Sequence, residues 1–81
     1  NRCARLLAEL VADVPGVSLM FPVEANGVFL QLSETAIERL RAWGWRFYTF
    51  IGAGGARFMC SWDTEEARVR ELAADIRKAM V

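Results

Sequence analysis

The sequence predicts an α+β fold: a two-layer open sandwich in which an antiparallel sheet of three or four strands carries helices on one face. Three observations lead there. Apolar residues recur at helical spacing in three separate segments, at the start, middle and end of the chain. Between these segments lie two pairs of short β-rich runs. Each pair is joined by a turn-forming stretch rather than a crossover helix, which favours antiparallel pairing. The predicted order is helix, strand, strand, helix, strand, strand, helix. A chain of 81 residues has room for one such domain with one modest core.

The first helix is drawn by the stripe Cys3, Leu6, Leu7, Leu10, Val11 and Val14, and Pro15-Gly16 stops it. Val17 to Phe21 reads as a short strand, which Pro22 confines to an edge or to its own end. Glu24-Ala25-Asn26-Gly27 has turn chemistry, with the Asn26 side chain expected on nearby backbone. Val28 to Leu32 alternates, placing Val28, Leu30 and Leu32 on one face and Phe29 and Gln31 on the other. Ser33 is a natural N-cap for the second helix, whose stripe is Ile37 and Leu40 with Trp43 at the end. Gly44 then stands where a left-handed C-terminal cap is expected.

Trp45 to Ile51 is aromatic and β-branched and reads as a strand. Gly52-Ala53-Gly54-Gly55 is a turn, Arg57 to Ser61 is the next strand, and the two strands form a hairpin. Asp63 is the expected N-cap of the last helix, with Glu66 completing a capping box. That helix buries Val69, Leu72, Ala73, Ile76 and Met80.

Composition narrows the function. Hydrophobic residues make up 54% of the chain, an excess that suits a face meant for a partner or for the rest of a longer chain. The chain opens on Asn1 rather than methionine, and the expectation is a fragment or processed product. Ten Lys and Arg balance ten Asp and Glu, which lacks the clustered positive charge of a nucleic-acid binder. No apolar run approaches the roughly 18 residues of a membrane span. Cys3 and Cys60 read as buried thiols, so the expected location is the reducing cytoplasm.

Histidine is absent, which excludes Ser-His-Asp and Cys-His catalysis, and the two cysteines lack metal-ligand spacing. Lys78, the only lysine, reads as a solvated cation near a helix C-terminus. The glycine run Gly52 to Gly55 is followed by a strand, whereas a phosphate loop needs a helix there. Trp43, Trp45, Phe47, Tyr48 and Phe50 have few neighbouring cations, so they read as core plus interdomain contact rather than a nucleic-acid stacking platform. No catalytic residue is therefore expected in this chain. Arg57 is different. Alternation puts it with Met59 and Ser61 on the face away from Phe58 and Cys60. Two readings stand side by side: a fork that grips a carboxylate, or else a plain surface arginine or one in a salt bridge to Glu24 or Asp63.

Three segments together resemble one family. They are Pro22-Val23-Glu24-Ala25-Asn26-Gly27-Val28-Phe29, Gly44-Trp45-Arg46-Phe47-Tyr48 and Arg57-Phe58-Met59-Cys60-Ser61-Trp62-Asp63-Thr64. In this order and spacing they are similar to the C-terminal small domain of low-specificity L-threonine aldolases, within the aromatic amino acid β-eliminating lyases. The resemblance implies that residues 1–81 are one domain of a fold-type I pyridoxal-phosphate enzyme. Such an enzyme cleaves β-hydroxy amino acids to glycine and an aldehyde. It implies that Arg57 binds the substrate α-carboxylate and that Phe47 and Tyr48 border the active-site entrance. The cofactor lysine, the ring-stacking residue and the phosphate loop would all lie in a large domain of the same chain. The fragment alone would then bind no cofactor and be inactive, and the full enzyme would be a homo-oligomer. Two other classes remain open on the residues: a stand-alone amino-acid-binding or regulatory module, and an interaction domain using the aromatic cluster.

Overall fold

The computed structural model describes residues 2–19, 27–49, 54–60 and 64–81. Helix α1 (Arg2–Val11) is followed by strands β1 (Ser18–Leu19) and β2 (Gly27–Gln31), then α2 (Glu34–Ala42), β3 (Tyr48–Thr49), β4 (Gly55–Met59) and α3 (Glu66–Ala79). The predicted element order is the observed one. The strands form one antiparallel sheet in the order β1-β2-β4-β3, so β2 and β4 are the inner strands. The short β1 lies at an edge, one of the two places expected for a strand that runs into a proline. Pro22 itself lies outside the described residues.

Register decides which side chains share a face. Val28 sits opposite Phe58 and Leu30 opposite Ala56, and all four are buried with the helices' stripes in one core. From α1 come Ala4, Leu7 and Val11; from α2, Ala36 and Leu40; from α3, Val69, Leu72, Ala73, Ile76 and Ala79. Fully burying a side chain such as Leu7, Leu30, Leu40 or Ile76 is worth roughly 1.5–3 kcal/mol each. The other face of the sheet carries Phe29, Gln31, Tyr48, Arg57 and Met59, which are half-buried or exposed. The helices thus occupy one face, giving the open two-layer sandwich.

Polar ties fix the helix ends. Arg77 Nη2 donates to Leu10 O at 3.2 Å and to Asp13 Oδ1 at 2.8 Å, docking the end of α1 on α3. The same guanidinium holds the Asp13 carboxyl below its usual range. Arg39 Nη1 donates to Ala79 O at 3.0 Å and Val81 O at 2.8 Å, satisfying open carbonyls at the end of α3.

Both predicted caps of α2 form. Ser33 Oγ accepts from the Ala36 amide at 3.1 Å. Gly44 adopts φ 95°, its amide donates to Arg41 O at 3.0 Å, and the Trp45 amide donates to Leu40 O at 3.0 Å. That pair of bonds is a Schellman motif, and only the left-handed backbone of Gly44 closes it without steric cost. Replacing Ser33 by alanine is expected to destabilise the fold by about 1 kcal/mol. In a domain of this size that is a drop in Tm of roughly 4–8 °C, readable by circular dichroism. An unchanged Tm would show that the cap bond contributes nothing.

Four elements have a boundary two residues or more from the predicted one, and β2 shifts by one residue, from Val28–Leu32 to Gly27–Gln31. Helix α1 ends at Val11, not at Val14. Pro15 disfavours helical backbone at the residue before it, and Val14 is instead held in the core by a turn in which its amide donates to Val11 O at 3.1 Å. Within the described residues the predicted strand Trp45 to Ile51 is only Tyr48–Thr49. Trp45 is drawn back onto α3, where its Nε1 donates to Asp75 Oδ2 at 2.7 Å. Strand β4 starts at Gly55, two residues before the predicted Arg57, because Gly54 O accepts from the Leu32 amide at 2.8 Å and extends the pairing. Helix α3 starts at Glu66 with Glu65 as its N-cap and no side-chain cap bond, so the box at Asp63 does not begin the helix. The Glu66 carboxylate is engaged by Arg2 at 3.3 Å and Arg70 at 3.1 Å instead. Asp63 lies outside the described residues.

Candidate functional site

Arg57 is in the middle of an inner strand. The register sets Phe29 of β2 opposite it on one side and Tyr48 of β3 opposite it on the other. All three project from the face away from the helices. The guanidinium carbon lies 5.7 Å from the Phe29 ring centroid and 5.8 Å from that of Tyr48. Both are cation–π distances. Two residues along on the same face, Met59 accepts: Arg57 Nε donates to Met59 Sδ at 3.1 Å. Among the described residues no carboxylate forms an ion pair with Arg57. Glu24 and Asp63, the pairing partners considered from sequence, lie outside the described residues.

Arg57 opens into a cleft of about 330 Å³ lined by Arg46, Phe47, Tyr48, Arg57 and Met59. The described lining residues hold two guanidinium groups against aromatic and thioether walls, with no carboxylate among them. Such walls lower the local dielectric and strengthen the attraction for an anion. A planar fork there matches a carboxylate with two parallel N–H···O bonds. The arrangement can bind and orient an anionic group. Among the described residues, none is positioned there to act as base or nucleophile.

The residues expected at the entrance take different places. Tyr48 is 66% exposed beside Arg57. Phe47 is buried, stacks on Phe58 with centroids 4.8 Å apart, and carries the Arg41 guanidinium 4.6 Å above its ring. It backs the cleft from the core side. Phe29, Met59 and Arg46 were not singled out by the sequence. Alternation did put Phe29 and Met59 on the same kind of face as Arg57. The missing information was which strand pairs with which.

The remaining sequence features fall elsewhere. The described aromatics do not form one platform. Trp43 is exposed with Lys78 Nζ 5.6 Å from its ring centroid, and Trp45 is half-buried under Arg68 at 4.2 Å. Phe50 and Asn26 lie outside the described residues. Lys78 is in the last turn of α3, and Gly54-Gly55 leads into β4 rather than a helix. Cys3 Sγ donates to Thr64 O at 3.2 Å, and Cys60 is buried. Burial pushes the Cys60 thiol up, and the Cys3 thiol adds to the rise, which does not suit a nucleophile. Among the described residues no three His, Cys, Asp or Glu side chains converge, and no helix is long and apolar enough to cross a membrane.

Comparison with known proteins returns a consistent picture. No family model matches the chain. The low specificity L-threonine aldolase of Pseudomonas aeruginosa is 88% identical to it over 80 residues. The protein of the same description from a Pseudomonas sp. strain is 81% identical over 80 residues. Each alignment covers 99% of this chain, and the chain spans 23% of the length of each of these curated relatives. The chain therefore matches a segment of such an enzyme.

Proposed function

We propose that this chain is the C-terminal small domain of a pyridoxal-phosphate-dependent low-specificity L-threonine aldolase, and that it supplies the clamp for the substrate's α-carboxylate. The parent would convert L-threonine and related β-hydroxy amino acids to glycine and an aldehyde. The observation that carries this reading is Arg57, held between two rings with its fork facing a cleft that has no carboxylate among its described lining residues. The two aldolases that share 88% and 81% of its residues support it.

The described residues do not suit the cofactor themselves. The only lysine, Lys78, lies by Trp43 at the end of α3, and the described glycines of the hairpin turn precede a strand. Holding the cofactor is therefore assigned to the rest of the parent, where it supplies an electron sink for the bond cleaved. This chain's part is positional. Arg57 takes both carboxylate oxygens, and Phe29 and Tyr48 keep water from the flanks of the pair. Fixing the carboxylate fixes rotation about the N–Cα bond, and with it the direction in which the scissile Cα–Cβ bond would be presented to the cofactor. Orientation of this kind lowers a barrier without the clamp making any bond. The parent is read as a cytoplasmic homo-oligomer whose subunit contacts lie mainly in the large domain. The reduced thiols of Cys3 and Cys60 suit that compartment.

The test is direct. The full-length parent, supplied with pyridoxal phosphate, is expected to release glycine and acetaldehyde from L-threonine, while the 81-residue chain alone releases neither. A loaded parent that leaves L-threonine untouched would overturn the proposal.

A further inference from the structure

We infer that Gly27, Phe29 and Met59 are positioning residues that set the plane of the Arg57 guanidinium, so that its two Nη groups meet the substrate carboxylate in one orientation. The inference rests on Arg57 being the clamp.

An arginine has five N–H donors and a long, rotatable stem. Left alone on a sheet surface it would sample many orientations, and ordering it on binding would weaken the grip. Here the Nε–H is already committed to Met59 Sδ at 3.1 Å, which leaves the Nη edge for a ligand. Phe29 and Tyr48 stand on either side at 5.7 and 5.8 Å and restrict rotation of the plane. Phe29 and Met59 belong to the inner strands, so their backbones are held by neighbours on both sides.

Gly27 explains how these groups fit. It pairs directly with Met59. Its backbone is not in the left-handed region, so conformational freedom is not the reason for glycine. Space is. A Cβ there would stand 3.3 Å from Phe29 Cε2 and 3.8 Å from Met59 Sδ. At the first distance the ring would have to give by a few tenths of an ångström. The bare backbone of Gly27 is the floor on which the ring and the sulfur lie, and these in turn hold the cation.

The test uses steady-state kinetics of the full-length parent with pyridoxal phosphate and L-threonine. Met59→Leu and Gly27→Ala are each expected to raise KM about 3- to 10-fold, the scale of one modest hydrogen bond or one ordered side chain, with kcat within about twofold. The cofactor's visible absorption should not change. Phe29→Leu should behave likewise, and Phe29→Tyr should restore the parent value. In an Arg57→Lys background, Met59→Leu should add no further loss, because there is no fork left to orient. Full additivity, or unchanged KM in Met59→Leu and Gly27→Ala while Arg57→Lys remains impaired, would overturn this inference alone. Wild-type KM in Arg57→Lys would instead remove the clamp on which it rests. Should Gly27→Ala fail to fold, the near-isosteric Met59→Leu still decides the matter.

Discussion

Replacing Arg57 by lysine in the full-length parent is expected to raise KM for L-threonine by about 10- to 100-fold while cofactor binding stays nearly unchanged. Charge-assisted hydrogen bonds contribute roughly 1.5–3 kcal/mol, and each 1.4 kcal/mol is tenfold in affinity. Lysine keeps the charge but loses three things at once. It has no planar fork to take both carboxylate oxygens, no flat face to lie between Phe29 and Tyr48, and no Nε–H to give Met59. On the proposed reading the larger effect should fall on KM, where the grip is lost, with a smaller fall in kcat because the scissile bond is then oriented less well. Steady-state kinetics together with a spectroscopic titration of pyridoxal phosphate separate the two. Wild-type kinetics would take Arg57 out of the site.

Gly54→Ala should be the most damaging single change to the fold. Gly54 has φ 76°, in the left-handed region. A Cβ on it would stand 2.1 Å from Leu32 O and 3.3 Å from Leu32 C. Those are backbone atoms of the chain leaving β2, and they cannot rotate away. Gly54 O also accepts from the Leu32 amide at 2.8 Å, so relief of the clash breaks a bond that closes the β2–β4 pairing. The left-handed backbone alone costs a non-glycine residue roughly 1–2 kcal/mol. With the clash, a loss of about 3 kcal/mol or more is expected, a Tm lower by at least about 12 °C in a domain of this size. Thermal unfolding followed by circular dichroism measures it. A variant melting within about 3 °C of the original would mean that the turn shifts freely.

What could be read from sequence was what is local. The stripe from Val69 to Ile76 needs only helical periodicity, and the caps of α2 at Ser33 and Gly44 close through bonds between residues at most five positions apart. Apart from the end of α1, which Pro15 and a local turn set, the misplaced boundaries have distant causes. Trp45 left its predicted strand for Asp75, 30 residues on, and Glu66 left its capping box in part for Arg2, 64 residues back. The site divides in the same way. Alternation alone picked out Arg57 and its open face. Recognising Phe29 as its neighbour required knowing that β2 pairs with β4 across the intervening α2 and β3, and in which register. The role of Gly27 could not be seen at all until the ring and sulfur above it were in place.

The sheet order sets how firmly each wall of the cleft is held over time. Arg57 and Phe29 are on inner strands, where backbone opening approaches the cost of unfolding the domain, so their amides should exchange with solvent among the slowest. Tyr48 is on a two-residue strand at the margin, where fraying is cheap. The cleft therefore has a fixed wall carrying the cation and a yielding wall carrying the phenol. On the proposed reading, the Tyr48 side is where an amino acid would enter and leave, with the Arg57 wall staying in place.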